Sequence, residues 1–557
     1  MLWKSDHPEL DIPTNVTTWE WAFEQPQLPN GKYENAVTKE SLDYGAVKQK
    51  STQLSTALIH KYGLKPGDTV SLFATNTIWY PVALWATIRA GGRINGASSG
   101  YNADEMTHAL KTAKTKFLFT LPASLDVAVE AAKNVHLPAS NIFLLEGQRP
   151  GFTTIHGLIS HGSTLTPHPP FSIPPDQTNK TICAYLNFSS GTTGLPKAVM
   201  LSYHNIIAQC HQLRQLQVIE PNERLQAFGV TPLFHITGLV RYIHYPVFLS
   251  GDSIMLPSFN LETMLQTIIS HRIRELILVP PIVIRLVRDP IVDTYLSSLL
   301  PIVRRWSSGS APTPPEIISL LHAKFPTTGF RQGYGATEST ACITCHPPTH
   351  YDYKYAHTGG KLCANTMAKV LSLEDQSVEM GVDEVGEICA KGPQIAMGYL
   401  DNEASTKETF DAAGWFHTGD VGFFDAEGMI HIVDRIKEMI KVRGQQVPPA
   451  ELEDVLQGHP SVSDVAVLGI PDVYSGEKPK AYVVLQPGHT PSAELGRELL
   501  AWVKERKSRY KWLLELEFAE SVPKSPTGKL LRRVLKSGDR EGGRRRGVTV
   551  REERGRL

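Results

Sequence analysis

The sequence is poor in the features that would place it outside the cell, in a membrane or on nucleic acid. Six cysteines in 557 residues are too few for a disulfide framework, so reduced, buried thiols are expected. The segment from Met1 to Asp11 mixes Lys4, Asp6, His7, Pro8 and Glu9 where a signal peptide would carry an apolar core. The most apolar run, from Leu276 to Ile284, is short and broken by Pro280 and Pro281, so no bilayer-spanning helix is expected. Neither sign of charge dominates, because Lys+Arg and Asp+Glu both number 56. Nucleic acid and anionic membranes are therefore not the expected partners. A cytoplasmic protein is the expectation, since the terminal Gly-Arg-Leu is only a loose relative of a peroxisomal address.

What is present is an ordinary globular composition, 41% apolar and 20% charged. The length exceeds what one hydrophobic core holds, so two or more domains are expected. Residues 40 to 160 alternate helical patterns with short apolar strands, such as Thr69 to Ala74 before a helix from Trp79 to Ala90. That alternation predicts a layered α/β domain with a largely parallel sheet. A proline-rich stretch at about 163–180, with Pro167, Pro169, Pro170, Pro174 and Pro175, reads as a linker at a subdomain boundary. Turn-rich short segments from about Val370 to Val433 predict a smaller β-rich part.

The expected domains are thus 1–434, then a small α+β domain over 435–536, then a basic, disordered tail over 537–557. In the second domain Pro448 and Pro449 open a helix that ends by Gly458, Val462 to Gly469 and Ala481 to Gln486 read as strands, and Thr490 and Pro491 start a further helix.

The most informative segment is Ser189-Ser190-Gly191-Thr192-Thr193-Gly194-Leu195-Pro196-Lys197. Two glycines free the backbone to present its N–H groups, while four hydroxyls and a lysine suit a triphosphate. The spacing is not that of a P-loop NTPase, because two residues rather than four separate Gly191 from Gly194 and Lys197 follows three later. An apolar run, Ile182 to Leu186, precedes the loop, and Ser202 is placed to cap a following helix, so the order reads strand, loop, helix. Cys342-Ile343-Thr344-Cys345-His346 formally matches a c-type haem attachment site; without an export signal or a second ligand pair it reads as coincidence.

Further segments combine with this loop: Tyr185 to Asn205, Thr231 to Leu239, Ser308 to Pro312, Gln332 to Thr340, Gly414 to Asp420, Asp434 to Glu453 and Pro523 to Arg533. In their order and separations they resemble the adenylate-forming superfamily of acyl-CoA ligases, 4-coumarate ligases and luciferases, over nearly the whole chain before the basic tail. The resemblance implies an ATP-dependent acid:CoA ligase that uses ATP, Mg²⁺ and CoA, has a large N-terminal and a mobile C-terminal domain, and takes a small carboxylic acid. A carrier-protein thiol as acceptor, and a catalytically weakened relative that only binds ATP, are the alternatives.

Residue by residue, the resemblance places Ser189, Ser190, Gly191, Thr192, Thr193, Gly194 and Lys197 on the ATP phosphates. Thr337 resembles the α-phosphate ligand and Glu338 the carboxylate that holds Mg²⁺, a cation suited to oxygen donors. Ser310, Ala311, Pro312, Gly333 and Tyr334 resemble the adenine enclosure, with Tyr334 offering a stacking face, and Gln332 and Gly335 beside them are counted with the cofactor-binding residues. Asp420 resembles the ribose ligand, Arg435 a ribose or phosphate contact, and Asp434 to Lys437 the hinge. Lys529 resembles the lysine that bridges acyl carboxylate and α-phosphate; after rotation about the hinge, Lys441, Gly444 and Gln446 would present CoA. His235 resembles the histidine at the acyl-pocket wall, a position where amino-acid-activating relatives tend to have aspartate.

Two departures stand out. Ala198 replaces a usual glycine after the loop lysine and would be strained if that backbone needs positive φ; Ala336 replaces a bulkier residue. The pocket segments Ile236 to Leu239, Ser307 to Ser310 and Thr340 to Ile343 are mostly small or apolar, so an aryl or fatty acyl group is expected.

Overall fold

The structure, a computed structural model, describes residues 1–189, 196–220, 223–443, 445–472, 474–525, 528–532, 534–536 and 548–552. It is mixed α/β, with several sheets and a separate C-terminal region. Among the described residues, no helix is long and apolar enough to cross a membrane.

The largest sheet has eight strands, and its centre is parallel: Thr69–Phe73 pairs with both Arg93–Ala97 and Thr115–Thr120. Thr69–Phe73 is buried along its whole length, as a strand covered on both faces must be. The helix Trp79–Arg89 that follows is buried at every position and fills one of those faces. A second, four-stranded sheet pairs Gln226–Gly229, Asp252–Met255, Lys32–Asn35 and Ser41–Asp43. A third layer begins with the parallel strands Glu275–Leu278, Arg305–Ser308 and Gly329–Tyr334. The β-rich part is an antiparallel sheet built around Met367–Leu371, Gly386–Lys391, Phe416–Phe424 and Ile430–Arg435.

The proline-rich stretch does not divide the large region in two. Arg93–Ala97, before it, pairs directly with Cys183–Ser189, after it, in one sheet. The stretch is tied down on the way: Phe171 donates its N–H to Arg89 O at 2.8 Å, and Arg89 Nη2 donates to His168 O at 2.6 Å. Gly91 is glycine for this reason, since a Cβ there would stand 2.6 Å from the Phe171 ring.

The C-terminal region is a hairpin, Val462–Asp472 and Gly476–Leu485, whose second strand runs parallel to Glu515–Phe518, with the helices Pro449–Gln457 and Ala493–Arg506 packed on it. The first helix begins and ends at the prolines and glycine read from sequence. The second starts later than Thr490 and Pro491 suggested, because the Ser492 hydroxyl is the group that reaches the Leu495 N–H, at 3.1 Å. Asp434 joins the regions: its Oδ2 accepts the Ala450 N–H at 3.0 Å, in the first turn of that first helix.

The expectation of a structureless tail fails at Thr549–Arg551, which add an antiparallel strand beside Glu515–Phe518. The cause is apolar burial that composition hides among the arginines: Val550 is buried and meets Gly496, where a Cβ would come within 2.4 Å of it. Most of 537–557 lies outside the described residues. Val550→Ala is expected to lower the stability of the C-terminal region by about 1.5–3 kcal/mol, from the apolar area lost; chemical denaturation followed by Trp502 and Trp512 fluorescence measures it, and an unchanged midpoint would show the strand to be unimportant.

Candidate active site

The glycine-rich loop is the turn of a hairpin. Cys183–Ser189 and Lys197–Ser202 are antiparallel, with Lys197 opposite Ser189 and Ala198 opposite Phe188, and only then does Ser202 cap the helix Tyr203–Gln215. The strand-loop-helix order read from sequence is thus corrected, because Ala198, Val199 and Leu201 are buried and make Lys197–Ser202 a strand. Ser190, Gly191, Thr192, Thr193 and Gly194 lie outside the described residues. Ala198 sits inside this strand and is not among the residues of positive φ, so the strain anticipated for it is not there.

From the hairpin, contacts run to the acidic side of a cavity of about 1130 Å³. The Lys197 ammonium stands 4.9 Å over the Tyr399 ring, and the Tyr399 hydroxyl donates to Glu338 Oε1 at 2.9 Å. Glu338 and Thr337 belong to a single 3₁₀ turn, Thr337–Ser339, and both line the cavity with Ala336. The turn is held against its neighbour by a close approach: a Cβ on Gly335 would stand 2.0 Å from Ala341 O. Ala341 itself has φ +102° and Ser310, which also lines the cavity, φ +74°, so two of its non-glycine residues carry left-handed backbone.

Asp420 and Arg435 are partners across the strands Phe416–Phe424 and Ile430–Arg435. Arg435 Nε lies 3.1 Å from Asp420 Oδ1, and the Tyr334 hydroxyl donates to Oδ2 at 2.8 Å. Burial leaves the Asp420 carboxyl above its ordinary value even though Arg435 and Tyr334 favour the charged form. Beneath this segment, Glu387 Oε1 accepts the Gly419 N–H at 3.2 Å, and Glu387 Oε2 and Cys389 Sγ lie 3.3 Å and 3.5 Å from His417 Nδ1. Glu387, Cys389 and His417 could hold a cation, and they also fix the backbone leading to Asp420.

Lys529 enters the cavity from the C-terminal region. Its loop comes close to the large region, since Gly528, at φ +79°, leaves room for only 2.7 Å between an added Cβ and Pro281. Burial and then Arg435 lower the Lys529 ammonium to about 8, against the pull of Asp420, Glu438 and Glu338. On the opposite wall burial, then Lys529, lowers His235 to about 4, so its imidazole is neutral near pH 7, and its Nδ1 accepts the Thr237 N–H at 3.3 Å.

The cavity therefore brings together Ser189, Lys197, His235, Ser310, Gly333, Gly335, Thr337, Glu338, Arg435 and Lys529. Some sequence expectations do not gather there. Pro312 is exposed and Ala311 partly so, and neither lines it. Gln332 turns away to donate to Ala356 O, its backbone N–H serving His346 Nδ1 at 3.1 Å. Lys441 and Gln446, paired in the small hairpin Ile440–Val442 and Gln445–Val447, are exposed and also do not line it, and Gly444 lies outside the described residues. His346 spends its other nitrogen on Thr358 Oγ1 at 2.8 Å, which leaves the Cys342-to-His346 spacing without a ligand role. Sequence reasoning missed Tyr399, Arg241 and Arg331, which no motif marks.

Comparison with known proteins bears on this arrangement. Residues 20–400 match the AMP-binding enzyme family, and residues 451–529 match the AMP-binding enzyme C-terminal domain. The chain is 32% identical over 545 residues to 4-coumarate--CoA ligase-like 1 of Arabidopsis thaliana, covering 96% of each chain. It is 34% identical over 490 residues to probable 4-coumarate--CoA ligase 2 of Dictyostelium discoideum, covering 86% of this chain and 87% of that one. Its fold overlays that of the anthranilate CoA ligase AuaEII, in complex with anthranoyl-AMP, with a TM-score of 0.83 at 22% identity, over 96% of this chain and 99% of that chain.

The lowered Lys529 ammonium gives a direct check. It is charged below about 8 and neutral above, so competitive acylation followed by peptide mass spectrometry should give Lys529 a titration midpoint near 8. A midpoint near about 10.4, the value of a solvated lysine, would show that Lys529 stands outside the cavity in solution.

Proposed function

The chain belongs to the AMP-binding enzyme family, and from that premise we propose that it activates a carboxylic acid as its acyl adenylate and hands the acyl group to the thiol of CoA. It is by that kinship an AMP-forming acid:CoA ligase. A carboxylate is a poor acyl donor because its charge repels nucleophiles and it lacks a leaving group. In the first half-reaction its oxygen attacks the α-phosphorus of ATP, an O–P bond forms, and the bond to the β-phosphate breaks to release pyrophosphate. In the second, the CoA sulfur attacks the acyl carbon, AMP leaves with the bonding electrons, and the thiol proton passes to solvent.

The observation that carries this reading is the Lys529 ammonium in one cavity with Glu338, Thr337 and Arg435. Being positive near pH 7, it attracts the acyl carboxylate and α-phosphate together and offsets the charge that develops between them. Thr337 donates to the α-phosphate, Ser189 to Lys197 hold the outer phosphates, and Asp420, on releasing Tyr334, accepts the ribose hydroxyls. The adenine lies between Ser310 and the Gly333–Gly335 strand end. Glu338 fits Mg²⁺, a cation that keeps few protein ligands, since among the described residues only Oε1 of its buried carboxylate is engaged, by Tyr399. When bound, Mg²⁺ supplies positive charge against the phosphates.

Lys441 and Gln446 face solvent while Lys529 fills the cavity, which supports two orientations of the C-terminal region about Asp434 to Lys437, one for each half-reaction. His235 is a neutral wall between the phosphates and the acyl pocket, and an aryl or fatty acyl group is the acid class that the surrounding Ile236 to Leu239 suits. The weakened-relative alternative loses its ground with the unstrained Ala198.

Incubation with ATP, Mg²⁺, CoA and a panel of aryl and fatty acids, read by mass spectrometry, is expected to give AMP and an acyl-CoA thioester in equal amounts. Absence of AMP with every acid would overturn the ligase reading; AMP with thioester only on a phosphopantetheinyl carrier protein would overturn CoA as the acceptor.

A further inference from the structure

The far end of the acyl pocket is not apolar. Six residues beyond His235, on the π-helical segment Leu239–His244, Arg241 lines the same cavity although the residue is only 6% exposed. Arg241 is not among the groups that set the Lys529 ammonium but is among those that set Glu275, which places it away from the Lys529 end of the cavity. Its guanidinium has no carboxylate within ion-pair distance among the described residues; it hydrogen-bonds the Cys342 side chain and lies 5.7 Å from the Tyr245 ring.

A second cation reinforces it. Arg331 is 2% exposed, also lines the cavity, donates Nε to Ser307 Oγ at 3.1 Å and interacts with the Tyr351 side chain. Among the described residues the one carboxylate against it is Glu275, and that carboxylate is shared: Arg305 Nη2 donates to Glu275 Oε2 at 3.0 Å and Gln217 Nε2 at 2.8 Å. Burial pushes Glu275 up, but Arg331 and Arg305 outweigh it and hold the carboxyl at about 2, so Glu275 is ionised. Three guanidiniums thus meet one negative charge. Burial of uncompensated charge costs several kcal/mol, and an apolar acyl chain alone would leave that cost in place.

The charges at the two ends are also separate. Lys529 is governed by Arg435, Asp420, Glu438 and Glu338, whereas Glu275 is governed by Arg331, Arg305 and Arg241. We propose that the acyl pocket takes an acid bearing a second anionic group at its far end, which Arg241 receives while the buried Arg331 adds positive charge behind it, so that the substrate is a dianion activated at one end and held at the other. This rests on the ligase reading. A planar guanidinium fork suits a carboxylate or a comparable oxyanion bidentately.

The test compares 4-carboxycinnamate with 4-methylcinnamate, which share length and ring, by pyrophosphate release from the full-length enzyme. The wild type is expected to favour the diacid by at least ~10-fold in kcat/KM, a difference of about 1.4 kcal/mol. In Arg241→Leu the ratio should fall to near one or invert, and Arg241→Lys should recover part of it. Thermal-shift titration with each acid and ATP follows binding without turnover, and the diacid should stabilise the wild type more than Arg241→Leu. A wild type that prefers the methyl acid, or a preference that survives Arg241→Leu, overturns the distal-anion proposal while leaving the ligase reading intact. Absence of pyrophosphate with both acids and with the whole acid panel overturns the ligase reading itself.

Discussion

One electrostatic arrangement orders the rest of the site: the buried Lys529 ammonium, carried by the C-terminal region, is repelled by Arg435 and attracted by Asp420, Glu438 and Glu338. A lysine on a glycine- and proline-rich loop would ordinarily stay in water. Here Gly528 and Pro281 meet closely enough to seat it, and Asp434 ties the strand carrying Arg435 to the first helix of the C-terminal region. The desolvation this imposes on the ammonium is why its affinity for protons falls, and the nearby acids are why it does not fall further. A site built this way draws its lining from both regions at once.

Much of this was legible in the chain because phosphate and ribose chemistry constrains sequence tightly. Glycines mark close approaches that no other residue tolerates, as at Gly335, and the acids and hydroxyls follow at fixed offsets from them. The helix ends at Pro448 and Gly458 were legible for the same local reason. The element after the phosphate loop was not: Val199 and Leu201 alternate too briefly to tell a strand from the lead into a helix, and the pairing that settles it lies with Cys183–Ser189. Nor was the tail strand, where a single buried valine among arginines outweighs the composition of its surroundings.

The acyl pocket shows the deeper limit. Periodicity places Ile236 to Leu239 on a wall and makes that wall look apolar. It cannot say that the helix widens into a π turn just beyond, nor that Arg331, on a strand that reads as core, belongs to the lining of the same space. Arginines scattered in sequence become a charged floor only when the sheet carrying Glu275 and Arg331 meets the helix carrying Arg241. The result is a cavity with Lys529 from the C-terminal region and two arginines of the large region in its lining.

The central claim is that Lys529 serves adenylation and not thioester formation. Single-turnover measurement of both half-reactions in Lys529→Ala tests it most directly: acyl-AMP formation from acid and ATP should be lost, while supplied acyl-AMP should still yield acyl-CoA at close to the wild-type rate. Equal loss of both half-reactions would contradict the account, as would adenylation that survives without the lysine.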